Sequence, residues 1–310
     1  MHIAIFGANS QIAKDLTHSL ATTQACKLSL FVRDKSKLDL SKLTARAQSK
    51  IEILEYSFFN EKAQYDAIIN FVGVGDPALA SKIGTSILDI TYEYDKLALD
   101  YIQSNSTCRY IFLSSGAAYG GSFDTPVNSK SQTNFDLNNL QKTDWYGISK
   151  FYAETRHRAR QDLSIIDIRV FNYFSGTQDL STQYFITDAI RSIKEKSKLK
   201  TSPLNIYRDY ITPTDFYSLI LGALNSTNHL NLAVDCYTKS ATDKFSILKH
   251  LHNLFDLQFV VENETSHINA TGTKQYYFSE NRIAKTLGYE PIFDSLEGLS
   301  FEIERSQLLK

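Results

Sequence analysis

Charge of one sign is what this 310-residue chain most lacks: 33 Lys and Arg stand against 34 Asp and Glu, a net −1 with no strong block of either sign. The long-range field that gathers nucleic acid or an anionic membrane is missing, so a small-molecule partner is expected, with neither nucleic acid nor membrane. Cysteine is scarce too. Cys26, Cys108 and Cys236 are odd in number, far apart and set in or beside apolar runs, and they read as buried thiols of a reducing compartment rather than a disulfide framework or a metal site. The seven histidines show no zinc-like pairing, so no metal is expected. No run approaches the roughly 20 apolar residues of a membrane span. The N-terminus enters "HIAIFG" without a basic n-region, and a cytoplasmic protein is expected.

What is present is a rhythm. The short β-rich runs "HIAIFG", "KLSLFVR", "IEILEYS", "YDAIINFVG", "CRYIFLSSG" and "LSIIDIRVF" are separated by stretches long enough for crossover helices. That pattern predicts an α/β fold, a Rossmann-like doubly wound parallel sheet whose ligands lie at the carboxyl ends of the strands. After about residue 172 the rhythm weakens, which predicts a smaller C-terminal substrate-binding unit from 173–204 and 241–310. Residues 1–172 form the cofactor domain in this reading, and 205–240, with the strand-like "HLNLAVD", return to it. "KFSILKHLHNLF" and "SENRIAKTLGY" read as helices of the small unit, and the polar tract 120–144 as a substrate-side loop.

Glycine is short where a dinucleotide needs it most. In "GANSQIA" only Gly7 is a glycine, yet the spacing G-x-x-S-x-x-A puts Gly7 at the tight turn, Ser10 beside a pyrophosphate and Ala13 at the helix-to-sheet contact. Asn9, Gln11 and Ile12 complete that loop, and a plain strand-to-helix turn would look much the same. At the end of the second strand, Arg33, followed by Lys35 and Lys37, suits the 2′-phosphate of NADP(H), while Asp34 keeps NAD(H) open.

"WYGISK" places Tyr146 and Lys150 four apart on one helix face, where an ammonium lowers a phenol's pKa and binds a nicotinamide ribose. Ser114 and Ser115 end the preceding strand and offer a hydroxyl for a substrate oxygen.

With this order of parts the chain resembles the extended short-chain dehydrogenases/reductases, the NAD(P)-dependent epimerase/dehydratase family acting on nucleotide sugars. Its S-S-x-x-x-Y-G pattern is matched at 114 to 120, which implies the catalytic serine role for Ser115 beside Tyr146 and Lys150. "IRVFNYFSG" and "YRDYITPTD" are similar to later family motifs and imply diphosphate contacts by Asn172 and Arg208, with Asp215 structural. "SENRIAKTLGYEPIFDSLEGL" is similar to the family's tail. The resemblance also puts Ser57 at the position of the family's usual acid after strand three, and implies Phe71, Val72 and Gly73, at the end of strand four, as backbone neighbours of the cofactor. A homodimer through the helices around Tyr146 is implied as well. The resulting expectation is an NADPH-dependent reductase of a 4-keto-6-deoxy nucleotide sugar. A 4-epimerase with retained NAD and a nonenzymatic NADP-binding regulatory protein are the alternatives.

Overall fold

The computed structural model describes residues 1–59, 63–74, 80, 82–262, 274–306 and 308–309. Its centre is a sheet of seven parallel strands: β1 (His2–Phe6), β2 (Lys27–Val32), β3 (Ile51–Glu55), β4 (Ala67–Asn70), β5 (Arg109–Ser115), β6 (Ile165–Val170) and β7 (Asn231–Asp235). Their spatial order is β7-β6-β5-β4-β1-β2-β3. The order reverses between β1 and β4, so a crevice opens at their carboxyl ends. Among the described residues, seven longer helices surround the sheet or follow it: α1 (Gln11–Thr23), α2 (Ser86–Ser104), α3 (Asp144–Arg158), α4 (Phe185–Lys194), α5 (Pro213–Asn225), α6 (Lys244–Phe255) and α7 (Ser295–Arg305).

Alternate strand residues face opposite sides, and each side is covered. Ile3, Ile5, Leu28, Leu30 and Ile69 meet Leu16 and Leu20 of α1 and Phe216, Leu219 and Ile220 of α5. Ala4, Phe6, Phe31, Ile68 and Phe112 meet Leu99 and Ile102 of α2 and Ala153 of α3. Helix starts are fixed locally: Ser10 and Thr212 cap α1 and α5 through their hydroxyls, and Pro213 opens α5.

A third core joins Ile186 and Ile190 of α4, Leu248 and Leu251 of α6, and Leu299 and Ile303 of α7. Beside it, the pair Tyr207–Arg208 aligns antiparallel with Thr242–Asp243 and parallel with Tyr276–Tyr277. The helix expected over "SENRIAKTLGY" is instead one 3-10 turn, Ile283–Leu287. The Ser279 hydroxyl takes the Asn281 N–H and the Asn281 side chain takes the Ile283 N–H, so local side chains satisfy the backbone before a helix starts. All three cysteines are buried and free. Among the described residues no helix is long and apolar enough to cross a membrane.

Helix α3 turns a charged face inward. Lys150, Glu154 and His157 are all buried against the sheet. His157 lies between two carboxylates, its Nδ1 at 2.6 Å from Asp167 and its Nε2 at 2.7 Å from Asp95. Arg156 and Arg158 pair with the outer oxygens of the same two carboxylates, each at 2.6 Å. Burial by itself would lower the imidazole pKa, but Asp167 and Asp95 outweigh it and push the value up to about 9.

A folded-state pKa above the unfolded one gives stability that is fully present below about pH 6.5 and is lost as pH rises toward 9. The stability difference between the wild type and His157→Gln, measured by urea unfolding, should therefore shrink by the order of 3 kcal/mol across that window. A difference independent of pH would show that His157 is neutral in the fold.

Candidate active site

The β1-to-α1 turn is built around Gly7, whose φ is +67°. A Cβ there would stand 3.0 Å from the backbone of Phe71 and Val72, so the ends of β1 and β4 approach backbone to backbone. The Ser10 hydroxyl accepts the Ala13 N–H at 3.4 Å, which makes it the helix cap. Ser10, Gln11 and Ile12 line a cavity of about 760 Å³ that also takes in Phe71, Gly73, Tyr146 and Lys150. The first-turn N–H groups of α1 have no intrahelical acceptor and suit a pyrophosphate. Asn9 spends its amide N–H on the Asp34 carbonyl at 3.4 Å, while its Oδ1 is buried with no partner among the described residues. An orphaned acceptor beside a backbone cradle and a helix start fits a dinucleotide.

At the outer end of the crevice, Arg33, Lys37 and Ser57 are exposed and lie outside the cavity lining. Asp34 caps the turn that follows, accepting the Ser36 N–H at 3.0 Å and the Ser36 hydroxyl at 2.6 Å, with Lys37 at 3.8 Å. Its carboxylate is committed locally. The residue that reaches the glycine turn is Tyr56 rather than its neighbour Ser57: the Tyr56 oxygen accepts the Gly7 N–H at 2.7 Å. Val72 lies just outside the lining, its N–H held at 2.8 Å by the Asn70 side chain.

The three catalytic candidates come together on one wall. Ser115 ends β5, and Tyr146 and Lys150 project from the first two turns of α3. Gly147 allows the approach, because a Cβ there would lie 2.5 Å from the Ala117 carbonyl oxygen. Burial raises the Tyr146 phenol above its ordinary value, and a hydrogen bond with Ser115 draws it back. The acidification expected from Lys150 is not part of that balance. Its ammonium lies 5.9 Å from the Tyr146 ring centroid and donates to the carbonyls of Leu113 at 2.7 Å and Val72 at 3.4 Å. One of its three N–H bonds remains for the cavity. Burial lowers Lys150 to about 8, against the pull of Asp95, Glu154 and Asp167.

Across the cavity stand Asn172 and Arg208. Arg208 is buried and donates to the carbonyls of Tyr207 at 2.7 Å and Lys274 at 2.9 Å. Asn172 uses its amide N–H on the carbonyls of Asp209 at 3.4 Å and Tyr277 at 3.2 Å, so it braces the wall as well as lining it. Asp215 is buried and accepts the Ile292 N–H at 2.7 Å. Two residues escaped the sequence reading. Lys274 lies over the Phe123 and Tyr277 rings at 4.8 and 5.0 Å, and burial beside Arg208 lowers it to about 8. Tyr277 brings its hydroxyl to 3.3 Å from the Ser115 hydroxyl. The one signal near either is the run of three aromatics, Tyr276, Tyr277 and Phe278, just after Lys274.

The model of the NAD dependent epimerase/dehydratase family matches residues 3–233. The chain belongs to that family. A UDP-N-acetylglucosamine 4-epimerase from Methanobrevibacter ruminantium shares the fold at TM-score 0.81 and 14% identity, over 98% of this chain and 97% of that one. A UDP-glucose 4-epimerase from Thermotoga maritima gives 0.78 and 17%, over 98% of each. A dTDP-glucose 4,6-dehydratase from Bacillus anthracis gives 0.75 and 14%, over 98% and 96%. A sequence search of curated proteins finds no match.

In this member of the epimerase/dehydratase family, the meeting of Ser115 and Tyr146 depends on helix α3 lying flat on the turn after β5. Gly147→Ala should push the helix off Ala117, cost about 1–3 kcal/mol of stability and lower turnover at least about tenfold. Full turnover in a folded Gly147→Ala variant would show that the spacing is not critical.

Proposed function

We propose that the chain is an NADPH-dependent reductase of a 4-keto-6-deoxy nucleotide sugar. The observation that carries this reading is that Ser115 and Tyr146 line one cavity together with Arg208 and Lys274. The cations suit a diphosphate and the hydroxyls a ketone. A bound nicotinamide cofactor supplies the hydride for the ketone carbon. Tyr146 hands its proton to the ketone oxygen, Ser115 holds that oxygen, and the remaining N–H of Lys150 holds the cofactor ribose.

Arg33 favours NADPH. It is exposed at the end of β2, while the neighbouring Asp34 is spent on Ser36 and Lys37 instead of a ribose diol. Gly116 and Ala117, which follow Ser115, supply no acid for a dehydration. The fold likeness to UDP-sugar 4-epimerases supports a second reading, a 4-epimerase that retains NAD. The exposed rings of Tyr92, Phe151 and Tyr152 on α2 and α3 suit a homodimer of a cytoplasmic enzyme, with residues 173–204 and 241–310 as its substrate unit.

Denaturing freshly purified protein and chromatographing the released nicotinamide separates the two readings. The reductase is expected to yield empty sites or traces of NADP(H), since the cofactor exchanges at every turnover. Stoichiometric NAD would favour the epimerase and remove the argument from Arg33.

A further inference from the structure

We infer that Tyr277 is a positioning residue that fixes the direction in which Ser115 presents its proton to the substrate oxygen. The inference rests on the reading of Ser115 given above, and it concerns a contact spanning 162 residues of sequence.

A serine hydroxyl has one proton to give and two lone pairs with which to accept. One lone pair of Ser115 takes the Ala117 N–H at 3.2 Å. The Tyr277 oxygen is 3.3 Å from the same hydroxyl. The single Ala117 N–H is spent on Ser115, which leaves the phenol proton to fill the second lone pair of that hydroxyl. A phenol is also the stronger donor of the two hydroxyls. Once both lone pairs of Ser115 are filled, its own proton points into the cavity toward Tyr146 and the place of a ketone oxygen. Substrate binding commonly shortens such contacts from their length in the free protein.

Tyr277 is held well enough to perform this. Its ring packs against Phe123 and Phe171, with centroids 4.8 and 5.2 Å away, and its carbonyl accepts from Asn172 at 3.2 Å. Two residues on, Ser279 donates to Asp235 at 2.6 Å. Asp235 also accepts from Tyr119 at 2.9 Å and lies 3.5 Å from Arg169. Arg169 in turn grips Glu154, which accepts the Ser114 hydroxyl at 2.5 Å. The residue before Ser115 and the residue two beyond Tyr277 are thus tied into one buried chain of charges, so the spacing between the two hydroxyls is set from both ends.

The test is a double-mutant cycle in the full chain, with a nucleoside-diphosphate-linked 4-keto-6-deoxyhexose and NADPH as probes. Tyr277→Phe keeps the ring and its packing while removing the hydroxyl. Its kcat is expected to fall about fivefold to tenfold, the loss of one hydrogen bond, with KM for the sugar nucleotide within about twofold. In a Ser115→Ala background the same substitution should have no further effect. The inference is overturned if Tyr277→Phe keeps the wild-type kcat, if it acts on KM alone, or if it costs the same factor in both backgrounds. NADPH affinity, measured by fluorescence, should match the wild type and shows that each variant is folded. A Ser115→Ala protein with unchanged kcat would overturn the reading of Ser115 itself, and this inference with it.

Discussion

The site depends on an ammonium that has been taken out of water. Lys150 is 2% exposed, and a buried charge is tolerated only where dipoles or countercharges replace its hydration. Here the replacement comes from the sheet: the Leu113 carbonyl lies in the last pleat of β5 and the Val72 carbonyl just past the end of β4. Parallel strands in register expose those carbonyls at one edge, the edge at which the order of strands reverses. The topology that opens the crevice therefore also seats the lysine. Because Lys150 belongs to the first turns of α3, seating it places Tyr146 one turn away against Ser115.

The rest of that helix face follows the same logic. Glu154 and His157 continue the stripe, and neither carries its charge alone: Arg169 answers the first, Asp95 and Asp167 the second. Tyr110 links Asp95 to Asn70, whose side chain holds the Val72 N–H, so the polar layer beneath α3 reaches the crevice at the ends of the strands. A layer of this kind contributes little net stability compared with apolar packing. Its effect is geometric, since a helix held by directional bonds cannot slide along the sheet as a greasy one can.

Local chemistry was legible in the sequence and long-range chemistry was not. The apolar runs identified all seven strands of the sheet: a covered inner strand such as β1 or β4 needs a near-continuous apolar run, and the edge strand β3 was legible from the alternation in "IEILE". Tyr146 and Lys150 were readable since helical spacing is a local property. Tyr277 was not, as nothing near it in sequence says that it meets Ser115; the pairing of Tyr276–Tyr277 with Tyr207–Arg208 and the packing of its ring on Phe123 and Phe171 bring it there. The 3-10 turn after Ser279 escaped for a related reason. Its apolar spacing is helical, but the side chains of Ser279 and Asn281 compete for the backbone. After β3 the family resemblance pointed to Ser57, whereas the hydroxyl one residue earlier makes the contact with the glycine turn.

The most direct test of the account follows one atom. The protein would be incubated with a nucleoside-diphosphate-linked 4-keto-6-deoxyhexose and NADPH carrying deuterium at both C4 positions of the dihydronicotinamide, and the product sugar examined by mass spectrometry. The account predicts deuterium at C4 of the hexose, formed by the wild type and largely lost in Tyr146→Phe. A reduced sugar without deuterium, or one formed equally fast by Tyr146→Phe, would contradict it.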